Sequence, residues 1–156
     1  MAVELLPNSM SFRFVPTITV ESEDQIPDGF TGRVRLAPDS VLESISWLSD
    51  GILDDPSPRV PAYTRYRPTG EAKQVRHHRM GRQHDPARGV PAVQGFYAGG
   101  ARRYQEHYRY GRRHDYRGTA AIMKWRRDGA ARAEWHYYEG LRVEPVDTST
   151  APATTI

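Results

Sequence analysis

Apolar side chains along this chain keep a period of two, and only in short runs. Residues 121–125 place Ala121, Met123 and Trp125 on one face, with Ile122 and Lys124 between them. Successive side chains of a strand point to opposite faces, so this spacing predicts a strand. The same pattern recurs as Ala62, Thr64 and Tyr66, as Ala92, Gln94 and Phe96, and as Gly32, Val34 and Leu36. A second strand is predicted over 103–110, where Tyr104, Tyr108 and Tyr110 share a face. Its counterpart covers 132–138, with Ala133, Trp135 and Tyr137 aligned. No window sustains apolar spacing of three and four, so no helix is expected. Pro61 and Pro91 stand at strand starts, where sheets tolerate proline. Residues 11–21 also alternate, through Phe12, Phe14, Ile18 and Val20, and predict one or two capping strands interrupted at Pro16.

The elements repeat. Gly70, Gly100 and Gly129 are spaced 30 and 29 apart, and Gly81, Gly111 and Gly140 keep the same intervals. These six are read as turn glycines, because Gly adopts the positive φ that tight hairpins demand. Tyr66, Phe96 and Trp125 form one aromatic column; Tyr108 and Tyr137 form another. His84-Asp85 recurs as His114-Asp115. The units run 61–90, 91–119 and 120–143, and a degraded copy occupies 30–60. In that copy Trp47 lies four residues before Gly51, whereas His78, Tyr108 and Tyr137 lie three before theirs. Its second turn is therefore expected to be one residue longer. Terminal copies of an array often degrade, since one side lacks a neighbour. The expected fold is all-β: an antiparallel meander of about four hairpin repeats of 29–30 residues, forming an elongated, twisted sheet. Residues 1–29 are expected to cap it, and 144–156, rich in Thr, Ala and Pro, to form an extended or disordered arm.

Composition fits a thin structure. Of 156 residues only 38% are hydrophobic, yet nine are Tyr and three are Trp. Too few aliphatic side chains are present for a thick core, but each hairpin can hold a small aromatic cluster. The absence of Cys excludes disulfides and thiolate metal sites. No apolar run approaches the roughly 18 residues of a membrane helix. The N-terminus lacks a basic-then-apolar secretory pattern, so a cytoplasmic or virion location is expected. The net charge of +3 conceals an asymmetry: −6 over residues 1–60 against +9 over 76–142. Complementary ends of this kind suit docking between protein partners, including self-association.

Chemistry-bearing residues follow the repeat. His77, His107 and His136 fall in one column, His84 and His114 in another. Equivalent strands of a meander lie roughly 9–10 Å apart, too far to share a zinc ion bound at about 2 Å. No metal or cofactor is therefore expected, and Asp85 and Asp115 are read as turn hydrogen-bonders. No nucleophile elbow or phosphate loop occurs, so no catalytic residue is named and no enzyme is expected. Arg102, Arg103, Arg109, Arg112, Arg113, Arg126 and Arg127 interleave with aromatics over 101–142 and form the candidate binding surface. Arg beside exposed aromatics suits single-stranded nucleic acid.

The arrangement of Phe96, Gly100, Tyr108, Gly111, His114, Gly118 and Ala121, followed by Trp125, Gly129, Tyr137 and Gly140, resembles MORN-type repeats of the long bacterial and phage variety. The resemblance spans about residues 30–143. It departs at Tyr116-Arg117, where an acidic residue usually precedes the glycine. It implies a hairpin array used as a scaffold or binding surface. The expected function is a non-enzymatic structural or interaction protein, most concretely a minor or decoration component of a phage particle. The alternatives are a regulatory binding module, antitoxin-like or membrane-adjacent, and a single-strand nucleic-acid binder.

Overall fold

A computed structural model describes residues 2–5 and 14–144. Residues 145–156, most of the expected C-terminal arm, lie outside the described residues, as do 6–13. The fold is all-β, with no α-helix among the described residues and two single 3₁₀ turns, Glu23–Gln25 and Pro38–Ser40. Among the described residues sixteen strands run in chain order. The cap contributes β1 (Ala2–Leu5) and β2 (Phe14–Val20). The first unit holds β3 (Gly32–Leu36), β4 (Ser44–Ser49) and β5 (Ile52–Leu53). The second holds β6 (Tyr63–Tyr66), β7 (Ala72–Arg76), β8 (His78–Arg79) and β9 (Arg82–Gln83). The third holds β10 (Val93–Phe96), β11 (Arg102–Glu106), β12 (Tyr108–Arg109) and β13 (Arg112–Arg113). The last holds β14 (Ile122–Trp125), β15 (Ala131–Tyr138) and β16 (Leu141–Val143).

The long strands form one open sheet in the order β1-β2-β3-β4-β6-β7-β10-β11-β14-β15-β16. Neighbours are antiparallel except β2 and β3, which run parallel from Thr17–Arg33 to Val20–Leu36. β2 is not interrupted at Pro16. It runs unbroken, with Pro16 opposite Val3 of β1 and just ahead of the parallel ladder, so the missing N–H removes no bond to β3.

The last three units build their main hairpins the same way, whereas the first turns through Pro38–Ser40, with Glu43 N–H bonding Leu36 O (2.8 Å). Arg67 N–H donates to Glu71 O (2.8 Å) and Gly70 N–H to Arg67 O (2.9 Å); Tyr97–Ala101 and Arg126–Ala130 repeat this. Gly70, Gly100 and Gly129 sit at φ +93°, +94° and +91°. After the second long strand the chain leaves the sheet. His77 N–H still bonds Ala92 O (2.7 Å), but His77 O accepts from His84, and 78–83 fold into a small hairpin. His107 marks the same departure in the next unit, before β12 and β13. A single strand over 103–110 is therefore corrected: β11 ends at Glu106, and Tyr110 lies in a turn at φ +49° rather than on a shared face with Tyr104 and Tyr108. The first unit's small hairpin is no longer than the others, since Leu48–Leu53 and Ser49–Ile52 pair around Asp50-Gly51. Trp47 donates to Ala62 O as His77 donates to Ala92 O, so it occupies the histidine column.

The small hairpins form a second row beside the sheet. Gly81 N–H bonds Leu53 O, Gly111 N–H bonds Gln83 O, and Gly140 N–H bonds Arg113 O, each joining one unit to the next. The core between the rows is thin. Its buried apolar side chains are Val20, Val34, Ala62, Ala92, Val93, Ala120, Ala121 and Ile122. Ala62, Ala92 and Ala121 are 0% exposed, and larger side chains would not fit where the two rows meet.

Candidate functional site: the clasp row and the turn-tip surface

Three aspartates hold the units together. Asp85 Oδ1 accepts the N–H of Ala92 (2.8 Å) and of Tyr108 (3.0 Å), while Oδ2 lies 2.7 Å from His107 Nδ1. Asp55 makes the same three bonds to Ala62, His78 and the His77 ring. Asp115 makes them to Ala121, Tyr137 and the His136 ring. Each carboxylate thus starts in one unit and ends where the next unit passes from its second long strand into its small hairpin. Buried N–H groups must be paired, and a carboxylate can accept several at once. The aspartates do more than order their own turn. The first unit breaks the pattern: Trp47 replaces the histidine, and Gly32 stands where the carboxylate would be, since Gly51 N–H bonds Phe30 O and Asp50 N–H bonds Thr31 Oγ1 as Gly81 bonds Leu53 and Met80 bonds Asp54.

The second histidine column does a different job. His84 Nδ1 accepts the Tyr110 N–H (2.9 Å), and His114 Nδ1 accepts the Glu139 N–H (3.0 Å). Asp54 Oδ1 takes this role for Met80 N–H (3.0 Å). The neutral ring therefore carries its proton on Nε2 in His84 and His114. A proton on Nδ1 serves the clasp histidines, where the partner is a carboxylate. The rings also brace aromatics, His84 against Tyr110 (4.8 Å) and His114 against Tyr138 (5.0 Å).

Titration separates the units. The hydrogen bond to Asp115 raises the His136 pKa above its ordinary 6.5. Burial would lift Asp115, but the Tyr137 N–H, the His136 ring and the Ala121 N–H outweigh it and hold it below its ordinary value. Burial pulls His78 down, helped by Arg76, and pulls His84 down, helped by Arg79. His136 therefore contributes stability that is complete below pH 6.5 and lost as pH rises through its raised pKa. Asp115 contributes above its ordinary value, losing it as pH falls through the lowered one. His78 and His84 contribute above pH 6.5 and lose it as pH falls. Acidification from pH 7.5 to 5.5 is expected to protect the 136–143 hairpin and expose the 78–83 hairpin in amide exchange. The same response in both hairpins would refute the assignment.

The predicted arginine surface is divided between two ends of the sheet. Arg102 stacks on Trp125 (4.5 Å), while Arg103 (5.7 Å) and Arg127 (5.4 Å) both stack on Tyr97. These three and Arg126 stand at the main-hairpin turns. Arg113 is half-buried and engaged within the array: it meets Glu106 (3.2 Å) and lies over both Tyr108 and Tyr137. Arg109 and Arg112 belong to the small-hairpin row, where they line a cleft with Arg82, Tyr110, His114 and Glu139. Tyr66, Phe96, Trp125, Tyr108 and Tyr137 are all half-buried. Gly81, Gly111 and Gly140 occupy the small-hairpin turns at φ +82°, +81° and +85°.

Sequence reasoning missed the clasps, although the offset from each aspartate to its histidine is 22, 22 and 21 residues. It also missed Arg79 and Arg82, which share with Arg109 and Arg112 a repeated Arg-apolar-Gly-Arg tip. Among the described residues no group of three or more His, Asp or Glu is placed to hold a metal ion. No helix among them is long and apolar enough to cross a membrane. Compared with known protein families, characterised proteins and solved structures, the chain matches none.

Proposed function

We propose that this protein is a non-enzymatic structural or interaction protein, built from long MORN-type repeats, whose hairpin array presents a surface for assembly. The observation that carries this reading is the clasp row. The side chains best suited to acid–base work, three Asp and five His, are engaged in holding main-chain N–H groups or carboxylates between units. Groups so engaged serve architecture. Two further features support assembly. The sheet is open, ending on β16, where Leu141 is 72% exposed. Ile52, Met80, Tyr110 and Tyr138 are exposed along the same row of small hairpins, more apolar surface than isolated side chains explain. The most concrete setting is a minor or decoration component of a phage particle, in keeping with the repeat type and with the acidic and basic halves. Native mass spectrometry of the full chain is expected to show mass above the 17.8 kDa monomer, by self-association or a bound protein. A monomer with no partner, absent also from purified particles, would overturn the reading.

A further inference from the structure

Two small-hairpin tips, Arg79-Met80-Gly81-Arg82 and Arg109-Tyr110-Gly111-Arg112, repeat one pattern. Met80 (φ +50°) and Tyr110 (φ +49°) occupy the first turn position, in a left-handed conformation that suits Asn, Asp or Gly. Burial does not compensate them, since Met80 is 79% and Tyr110 61% exposed. Asp50 (φ +50°) and Glu139 (φ +46°) hold the same turn position, so the geometry belongs to the repeat; what sets these two tips apart is a large exposed side chain, Met80 or Tyr110, between two arginines. The four flanking arginines are exposed as well.

Tyr110 stands between two clefts. One, of about 350 Å³, is lined by Arg82, Arg109, Arg112, His114 and Glu139. The other, of about 420 Å³, adds Arg88 and Arg117 and shares Arg109, Tyr110 and His114 with the first. His84 fixes the platform, holding the Tyr110 N–H and packing against its ring. Among the described residues no guanidinium stacks on Tyr110, whereas Tyr97 and Trp125 are already covered by Arg103, Arg127 and Arg102.

We propose that this tip row binds single-stranded nucleic acid. One base stacks on Tyr110, while phosphates on one side meet Arg82, Arg109 and Arg112 and those on the other meet Arg88 and Arg117. An exposed ring, braced by His84 and with no guanidinium among the described residues stacked on it, flanked by guanidinium forks fits a base between phosphates. An acidic peptide would use the forks but not the ring, and a duplex would hide its bases. Glu139 on one rim and Asp85 and Asp115 in the second cleft limit affinity, the two aspartates with their oxygens already taken up by the clasps. The proposal is independent of the assembly reading, because it concerns a ligand and not the oligomeric state.

The test is fluorescence anisotropy of the full chain with short single-stranded RNA and DNA oligonucleotides, a duplex and polyglutamate, over a salt series. Single strands are expected to bind best, and the RNA and DNA arms show whether the 2′-hydroxyl matters. Each phosphate neutralised contributes about −0.7 to the slope of log affinity against log salt. Arg82→Gln with Arg112→Gln keeps the stems that pack on Gly111 and Gly140, and should flatten the slope by about 1.4. Tyr110→Asn suits the turn, so it should fold at least as stably while weakening binding roughly 5- to 100-fold. Arg102→Gln with Arg126→Gln, at the other end of the sheet, should leave affinity within about twofold. Absence of binding at low salt would overturn the proposal. So would binding indifferent to the tip variants, or equal competition by polyglutamate, which would point to an acidic protein instead.

Discussion

Asp85→Ala lowers the free energy of unfolding by about 3–5 kcal/mol, read by urea denaturation. The substitution leaves the N–H groups of Ala92 and Tyr108 and the Nδ1 of His107 without their acceptor. A buried polar group stripped of its partner costs about 1–3 kcal/mol, and three are stripped at once. Asp85→Asn separates the components. Its amide oxygen still serves both N–H groups, and its NH₂ can donate to Nδ1 if the His107 proton moves to Nε2. It should therefore cost only about 1–2 kcal/mol. Asp128→Ala is the control: it loses one exposed bond to the Ala130 N–H within a turn, and should stay within about 1 kcal/mol. Equal losses for all three variants would mean the clasp contributes nothing special.

Ala92→Leu is expected to destabilise by about 2–3 kcal/mol. Ala92 is fully buried, its N–H held by Asp85 and its carbonyl accepting the His77 N–H, so the backbone on both sides is pinned. Added methylenes in a close-packed site force strain of this size. Ala92→Gly should also destabilise, by about 0.5–1 kcal/mol, through lost contacts and added backbone freedom. A stability optimum at alanine is the signature of a slot limited in size. Ala98→Leu, at an exposed turn, should change stability by less than about 0.5 kcal/mol. If Ala92→Leu were as mild as Ala98→Leu, the rows would not be close-packed at that column.

These predictions rest on features of unequal visibility in the sequence. The hairpins are legible because each long turn carries Gly70, Gly100 or Gly129 at a position where positive φ is obligatory, and because small and aromatic residues bracket each first strand. The departure of the chain from the sheet at His107 is not legible. Alternation continues through Tyr104, Tyr108 and Tyr110, and only a change of hydrogen-bond partner marks the break. Parallel pairing of β2 with β3 is hidden for a similar reason, since period two reads the same in either direction. The clasps join residues about two strands apart, so neighbouring sequence says nothing about them. The near-constant offset from Asp55, Asp85 and Asp115 to their histidines carries meaning only once the rows are seen side by side. The arginines mislead because a stretch continuous in sequence contributes to both ends of the strands and, through the half-buried Arg113, to contacts between units.

Clasps couple one repeat to the next, and native-state amide exchange of Asp85→Ala reads that coupling at the residues involved. The Ala92 and Tyr108 amides are expected to lose protection, and residues 91–144 to open at a lower free energy than β3 to β7, a gap absent from the parent chain. Retained protection at Ala92 and Tyr108, or an even loss from Gly32 to Val143, would contradict that coupling.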